Sequence, residues 1–205
     1  MLVAEKILAR NLGKVEYLTT LEAMRSFTAR RDASTPDELW LLEHPPVYTL
    51  GLAADAAHGP KAGGAIPVVQ VERGGEITYH GPGQVVLYTL VDLARRGIKV
   101  KQFVALLEDT VIELLGSRAQ RKPGAPGIYV AGAKVAALGI RVSRGCAYHG
   151  LALNVDMDLA PFAAIDPCGH PGMQVTQTRD LGIAESKEIL GARLAAILVG
   201  KLEHA

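Results

Sequence analysis

One of the two cysteines in this 205-residue chain, Cys168, lies in the short segment IDPCGHPG between Pro167 and Gly169. His170 follows two positions later. A cysteine thiolate is a strong nucleophile, and a neighbouring cation or histidine can activate it. The other cysteine, Cys146, alternates with apolar and small residues in CAYHGLALNV, a pattern typical of a buried structural thiol. Cys168 is therefore a candidate nucleophile, although the segment alone also fits an ordinary surface turn.

A lysine elsewhere in the chain could activate such a thiol. In KVAALGIRV, strand alternation places Lys134 at the start of an apolar row that continues through Ala136, Leu138, Ile140 and Val142. If this row faces the core, burial lowers the pKa of the lysine and makes it a usable base. Alternatively, Lys134 lies at the wet end of the strand and extends to water. The pattern alone favours the second interpretation.

His149 raises the same question in YHGLALNV, where alternation gives it a face shared with Leu151, Leu153 and Val155. A histidine in such a row is more often a core residue with satisfied hydrogen bonds than a catalyst. No histidines, cysteines or carboxylates have the spacing of metal ligands, so the sequence predicts no zinc site.

The glycine-rich segment RGGEITYHGPGQ, residues 73–84, has two tight turns around a short strand. Alternation sends Glu76, Thr78 and His80 to one side of that strand. Paired glycines let a backbone approach a ligand closely and adopt positive φ angles. The segment is neither a phosphate-binding loop nor a dinucleotide fingerprint, because no Gly-Lys-Ser/Thr and no helix follow it. We interpret it as a binding segment; the alternative is a pair of hairpin turns without a ligand.

The elements that must position these residues form mainly consecutive strands. We expect a strand in the first ten residues, a helix from about 14 to 31, two strands within 37–51, and three within 66–93. A helix over 100–116, three strands between 127 and 157, and a helix over 186–202 complete the prediction. The helices are few and do not alternate with the strands one for one. The sequence therefore predicts a single α+β domain over residues 1–205, with a mixed or antiparallel sheet.

Composition excludes several classes of function. A net charge of +1 gives no electrostatic basis for nucleic acid as the main partner. No apolar run is long enough to span a membrane, and charges interrupt the N-terminal apolar stretch, so we expect neither a membrane anchor nor a signal peptide. Two cysteines without an export signal indicate the reducing cytoplasm, where a Cys146–Cys168 disulfide would be unusual.

Four motifs in a fixed order, RGGEITYHGPGQVVLYTLVDL, GAKVAALGIRV, YHGLALNVDMDL and IDPCG, resemble the lipoyl(octanoyl) transferases. These are the octanoyl-[acyl-carrier-protein]:protein N-octanoyltransferases. The resemblance covers most of the chain, from the early helix to the segment after Cys168. It implies the fold of the biotin/lipoate protein ligase-like catalytic domains, a mixed, largely antiparallel sheet packed with helices.

The resemblance also implies an activity and its residues. Such enzymes move an octanoyl group from octanoyl-acyl carrier protein to a lysine of lipoyl domains in 2-oxo-acid dehydrogenase complexes or of the glycine-cleavage H protein. Cys168 matches the nucleophile that forms the acyl thioester, and Lys134 matches the lysine that lowers the pKa of that thiol. No metal, ATP or other cofactor is implied. The substrate-binding segments correspond to Arg73, Gly74, Gly75, Glu76, Ile77, Thr78, Tyr79, His80, Ala137, Leu138, Gly139, Gly150, Leu151 and Ala152.

Three other functions are weighed against this one. A lipoate or biotin protein ligase would activate a free acid with ATP and need no cysteine. A non-catalytic protein that binds acyl groups or lipoyl domains would tolerate loss of Lys134. A cysteine hydrolase would pair Cys168 with His170 or His149, but no helix signal follows the cysteine. Because acyl carrier proteins are acidic, a basic docking face is expected, with Arg118, Arg121, Lys122, Arg141 and Arg144 as candidates.

Overall fold

The computed structural model describes residues 7–55, 59–60, 64–165 and 172–205, and Cys168 therefore lies outside the described residues. The strands are β1 (Leu8–Lys14), β2 (Glu38–Glu43), β3 (Val47–Leu50), β4 (Val68–Gln70), β5 (Ile77–His80), β6 (Gln84–Asp92), β7 (Ala119–Arg121), β8 (Ile128–Val130), β9 (Ala133–Ser143) and β10 (Cys146–Asn154). The α-helices are α1 (Tyr17–Arg30), α2 (Leu93–Arg96), α3 (Val100–Leu115) and α4 (Lys187–Glu203). Short 3-10 helices span Ala160–Ala164 and Arg179–Leu181.

The described strands form two sheets. The larger has seven strands in the order β1-β2-β6-β10-β9-β8-β7, and the smaller has three in the order β4-β3-β5. Two pairs, β1 with β2 and β3 with β4, are parallel, and every other neighbouring pair is antiparallel. The predicted α+β class with a mixed, largely antiparallel sheet is confirmed.

The large sheet is covered on both faces. Successive residues of β6 alternate between two apolar clusters: Leu87 packs with the residues of α3 and α4, whereas Val86 and Tyr88 pack with those of α1. Almost every residue of β6 and all of β10 are buried for this reason. Sheet strands covered on both faces are apolar on both sides, which explains the continuous apolar runs in the sequence.

Helix α3 begins at Val100 and ends at Leu115, with Gly116 at a positive φ just beyond, as predicted from its apolar stripe. Helix α1 begins three residues later than the sequence pattern indicates, at Tyr17. Among the described helices, none is both long enough and apolar enough to cross a membrane.

Candidate active site

A cavity of about 240 Å³ lies where the glycine-rich segment packs onto β9 and β10. The Gly74 amide donates to the Ile140 carbonyl at 2.9 Å and fixes the segment against β9. Gly139 permits this approach, because a Cβ there would lie 2.9 Å from the Gly74 oxygen. All the residues predicted to bind substrate line the cavity except Tyr79. The structure therefore brings the glycine-rich segment together with the paired strands β9 and β10, which follow it much later in the sequence.

Tyr79 belongs to a different environment. Its ring packs at 5.5 Å from the rings of both Tyr48 and Phe162, and it is almost fully buried. Its neighbours Thr78 and His80 line the cavity, and so does Ile77, which shares an apolar cluster with Tyr79. The packing of its ring, and not strand alternation alone, therefore separates Tyr79 from the cavity. Tyr79 therefore supports the cavity from behind and does not form its surface.

Lys134 lines the same cavity and is only 5% exposed. Its Nζ donates to the Pro126 carbonyl at 3.1 Å and lies 5.3 Å from the centre of the Tyr129 ring. The preference for a solvent-exposed strand end was wrong. The reason is long-range: residues 174–178, which we call the strap, run beside the start of β9, with Lys134 exchanging backbone hydrogen bonds of 2.8 and 2.9 Å with Gln174 and Thr176.

Gly127 makes room for the stem of Lys134. It has a φ of +134°, and a Cβ there would lie 2.9 Å from Lys134 Cε and 2.8 Å from the Ala136 carbonyl oxygen. The pairing of β8 with β9 is also irregular here, since the register shifts between Ile128 and Tyr129. Sequence reasoning missed Gly127; its only signal is the turn composition of KPGAPG, which predicts a loop and not a contact with a lysine.

The strap, which pairs with Lys134, follows the segment of the predicted nucleophile in the sequence. Val175 of the strap and Ile165, the last described residue before Cys168, both pack in one apolar cluster with Phe162. Val175 also forms a bridge with Lys134 and lines the cavity. The described residues that follow Cys168 in the sequence therefore lie beside Lys134.

Among the residues that the structure describes, three buried histidines stand beside the cavity, and sequence reasoning missed one of them, His44. Its Nδ1 lies 2.8 Å from the Val15 carbonyl oxygen, which can only accept, so Nδ1 carries the proton. Nε2 therefore accepts from the Tyr88 hydroxyl at 2.8 Å. Burial lowers the pKa of His44 to about 4, so it is neutral near pH 7. The signal in the sequence was a histidine directly before Pro45 and Pro46 at the end of a strand.

His80 lies next to His44, with 5.8 Å between the ring centres, and stacks on Tyr17 at 6.0 Å. Its Nδ1 is 2.8 Å from Gln84 Oε1. Burial, with smaller contributions from neighbouring groups including His44 and Arg73, lowers the pKa of His80 to about 3. The ring is thus a neutral imidazole held on two sides by other rings.

His149 departs from its predicted surroundings. Its φ of +63° is rare for a residue other than glycine and turns the side chain away from Leu151 and Leu153. The imidazole stacks on Tyr148 and meets the edge of Tyr88. It is 1% exposed, and its Nε2 has no hydrogen-bond partner among the described residues. The expected burial of this histidine is confirmed, but the expected hydrogen bond at Nε2 is not found among the described residues, and the residue also lines the cavity. Burial, with a contribution from the charge of Arg73, lowers its pKa to about 3.

Arg73 places a buried guanidinium at the cavity wall. Its Nη2 donates to the backbone carbonyl of Thr49 at 2.7 Å and to its hydroxyl at 2.8 Å, and Nη1 donates to the Gly74 carbonyl at 3.0 Å. These bonds join the glycine-rich segment to β3. Arg73 therefore organises the segment from inside and also adds positive charge beside the histidines.

Cys146 is buried and lies away from the cavity lining, and burial raises the pKa of its thiol. The predicted structural role fits this environment.

Of the basic residues expected to face an acidic partner, Arg121 pairs with Glu108 and Asp109, and Arg144 donates to carbonyls at the end of α1. No group of three or more histidines, cysteines and carboxylates suited to a metal ion occurs among the described residues.

Comparison with known proteins agrees with this fold. The model of the lipoyl protein ligase A/B catalytic domain family matches residues 16–192. The structure resembles lipoate-protein ligase A bound with ATP, with a TM-score of 0.73 and 14% identity over 97% of this chain and 85% of that one. It also resembles the biotin protein ligase of Aquifex aeolicus in complex with biotin and ATP, with a TM-score of 0.58 and 11% identity over 95% and 70% of the chains. The chain belongs to the lipoyl protein ligase A/B catalytic domain family.

Similar sequences narrow the activity within that family. The octanoyltransferase of Thiobacillus denitrificans is 62% identical over 185 residues, which cover 89% of this chain and 84% of that protein. The octanoyltransferase of Dechloromonas aromatica is 52% identical over 198 residues, covering 95% and 96%. These relatives confirm the predicted kinship with the lipoyl(octanoyl) transferases. The chain is an enzyme, an acyltransferase that moves octanoyl groups.

Proposed function

We propose that this enzyme transfers an octanoyl group from octanoyl-acyl carrier protein to a specific lysine of lipoyl domains, through an acyl thioester on Cys168. The acceptors are the lipoyl domains of 2-oxo-acid dehydrogenase complexes and the glycine-cleavage H protein. One observation carries the proposal: Lys134 is buried in the cavity wall beside the strap, and the strap follows Cys168 by a few residues. A catalytic thiol of this kind works in a reducing compartment, so we place the reaction in the cytoplasm.

In the first half-reaction, the Cys168 thiolate is paired with the Lys134 ammonium and attacks the thioester carbonyl of the donor. A carbon–sulfur bond forms to Cys168, and the one to the carrier breaks. The departing carrier thiolate takes a proton from Lys134 and leaves as a thiol. One thioester replaces another, so this step is nearly balanced in free energy.

In the second half-reaction, the amine of the acceptor lysine attacks the thioester on Cys168. The nitrogen–carbon bond forms, the carbon–sulfur bond breaks, and Lys134, now a neutral amine, takes the proton from the nucleophile. The Cys168 thiolate and the Lys134 ammonium are restored together. An amide is more stable than a thioester, so this step runs downhill without ATP.

The cavity offers a place for the acyl chain. Its apolar surface comes from α3, from the strands β9 and β10 and from the 3-10 helix 160–164: Val104, Leu107, Leu138, Leu151 and Phe162. In another protein, an apolar cavity of about 150 Å³ admits benzene. The larger volume of about 240 Å³ is in keeping with a chain of eight carbons.

Intact-mass spectrometry after mixing the enzyme with octanoyl-acyl carrier protein tests the thioester. We expect one octanoyl group per chain, mapped to Cys168, and none on the Cys168→Ser variant. Cys146→Ser is the matched control, because that thiol is buried outside the cavity, and it should acylate normally. Failure of the wild type to form an adduct in a single turnover would contradict the proposal.

The role of Lys134 is tested with Lys134→Met, which should slow adduct formation near neutral pH. Lys122→Met is its control: Lys122 is exposed, lies 5.7 Å from the centre of the same Tyr129 ring, and does not line the cavity.

A parallel reaction with free octanoate and ATP distinguishes a ligase from a transferase. Transfer that requires ATP and proceeds equally well with Cys168→Ser would establish the ligase and refute the transferase mechanism.

A further inference from the structure

A chain of buried hydrogen bonds runs from the strap to the cavity wall. The Asn154 Nδ2 donates to the Thr176 carbonyl at 3.0 Å. The Gln84 Nε2 donates to Asn154 Oδ1 at 3.0 Å and to the Tyr79 carbonyl at 3.2 Å. Gln84 Oε1 lies 2.8 Å from His80 Nδ1. All of these side chains are buried, so each amide must satisfy its own hydrogen bonds inside the protein.

The backbone carbonyl of Thr176 determines which group donates and which accepts in each of these hydrogen bonds. A backbone carbonyl can only accept, so Asn154 must present its NH2 group to Thr176 and its oxygen to Gln84. Gln84 then uses both of its N–H groups, on Asn154 and on the Tyr79 carbonyl, and presents its oxygen to His80. An amide oxygen also only accepts, so the proton of His80 must be on Nδ1. His80 therefore carries a lone pair on Nε2.

The Nε2 lone pair of His80 accepts no hydrogen bond from the described residues. His80 lines the cavity, and Nε2 has no hydrogen-bond partner among the described residues. The titratable and charged groups that contact the ring or shift its pKa are Tyr17, His44, Arg73 and His149, while Glu76 and Lys134 line the same cavity. None of the four groups at the ring supplies a negative charge that would hold an imidazolium, and burial lowers the pKa of His80 to about 3. The ring is thus a fixed, neutral hydrogen-bond acceptor in the same cavity wall as Lys134.

We propose that His80 Nε2 accepts a hydrogen bond from the amine of the attacking lysine in the second half-reaction, and that Gln84 and Asn154 are positioning residues that hold it in this tautomer. The inference rests on the function proposed above. A primary amine has two N–H groups: one proton passes to Lys134, and the other N–H is held by His80. This orients the nitrogen lone pair towards the thioester carbonyl, and such orientation can supply a large part of a rate enhancement.

The bonds that form and break are those of the second half-reaction, and His80 gains and loses no proton. The nucleophile of the first half-reaction is a sulfur without an N–H group, so His80 has no corresponding partner there. The inference therefore predicts a kinetic separation: the acceptor matters for aminolysis of the acyl-enzyme much more than for its formation.

Single-turnover measurements of the two half-reactions test this separation. We expect His80→Phe to slow aminolysis on the order of 10- to 100-fold, as for the loss of one hydrogen bond to a group that becomes charged, with a much smaller effect on adduct formation. His80→Gln, whose amide oxygen can accept, should recover part of the loss. Equal slowing of both half-reactions, or aminolysis at the wild-type rate, would overturn the inference.

A second variant tests the pH dependence of aminolysis, which would not change if Gln84 had a purely structural role. Gln84→Glu places a carboxylate against His80 Nδ1, which favours the imidazolium and converts Nε2 from an acceptor into a donor. Aminolysis by the variant should therefore fall at neutral pH. Because the attacking amine loses its proton with rising pH in both proteins, the readout is the ratio of the variant rate to the wild-type rate, which should rise as the pH is raised. A pH profile like that of the wild type would refute the proposed tautomer control.

The inference and the proposed function fail in different ways. If wild-type enzyme forms no octanoyl adduct with the carrier, the proposed function is contradicted, and the inference falls with it. If wild type and His80→Phe both form the adduct and both pass it on at the same rate, the function stands and the inference alone is refuted.

Discussion

The substitution Gly127→Ala tests how the fold holds Lys134 in the cavity wall. Gly127 has a φ of +134°, and a Cβ there would lie 2.8 Å from the Ala136 carbonyl oxygen and 2.9 Å from Lys134 Cε. The backbone strain costs an alanine about 1–3 kcal/mol, and overpacking adds about 1–3 kcal/mol. We expect the free energy of unfolding to fall by roughly 3 kcal/mol, a Tm decrease of about 6–12 °C for a chain of this size.

A glycine nearby in the sequence supplies the control. Gly124 has a φ of +75°, and a Cβ there would meet nothing within 4 Å. Gly124→Ala should cost roughly 1–2 kcal/mol through its backbone alone and leave Lys134 in place. Urea unfolding measures the stability of both variants.

The decisive assay is the rate of octanoyl-adduct formation in a single turnover, well below either Tm. Displacement of a catalytic group by about 1 Å can cost on the order of 100-fold in rate. We therefore expect Gly127→Ala to acylate at least about 10-fold more slowly than Gly124→Ala. Equal rates would show that the contact between Gly127 and the Lys134 stem does not control the reaction, and would refute this reasoning.

Three further predictions concern stability and chain length. Asp37→Asn should lower the free energy of unfolding by about 3–5 kcal/mol in urea titrations, because three arginines bind this fully buried carboxylate. Burial opposes ionisation of Asp37, but the hydrogen bonds outweigh it and its pKa is lowered, so its contribution is present above the unfolded pKa of about 3.9 and is lost as pH falls through the folded pKa. The pKa values of His44, His80 and His149 are lowered to about 4, 3 and 3, so their contribution to stability is complete above about pH 6.5 and declines below it. NMR titration should show none of these imidazoles protonating between pH 8 and 5; a midpoint near 6.5 would contradict their burial. Leu138→Phe should reduce kcat/KM for octanoyl more than for butyryl donors in competition assays, since Leu138 lines the cavity, and an equal reduction would argue against an acyl chain at that wall.

Local patterns predicted much of the fold and part of the site. The periodicity of α3 and the alternation in the strands depend on neighbours in sequence, so they could be read directly. The glycine-rich segment was predicted to bind a ligand because its composition is hard to explain otherwise, and it does line the cavity. Tyr79 was the exception within it, because its ring packs against Tyr48 and Phe162, and the resemblance does not specify these long-range contacts.

Other features depended on contacts between distant segments. The burial of Lys134 arises from the strap, some forty residues further along the chain, which no local pattern reveals. His149 left its predicted face because of a single positive φ angle, which alternation assumes to be absent. His44 and Tyr17 entered the site only because the sheet and α1 bring their rings beside His80.

The central claim is that the octanoyl group passes through Cys168 with Lys134 as its proton partner. The most direct measurement isolates the octanoyl-enzyme, adds a lipoyl domain without ATP, and follows both species by mass spectrometry with time. We expect the adduct on Cys168 to disappear at the rate at which octanoyl-lysine appears on the domain, and Lys134→Met to slow this decay. An adduct that persists while the domain is octanoylated from the carrier would contradict the account.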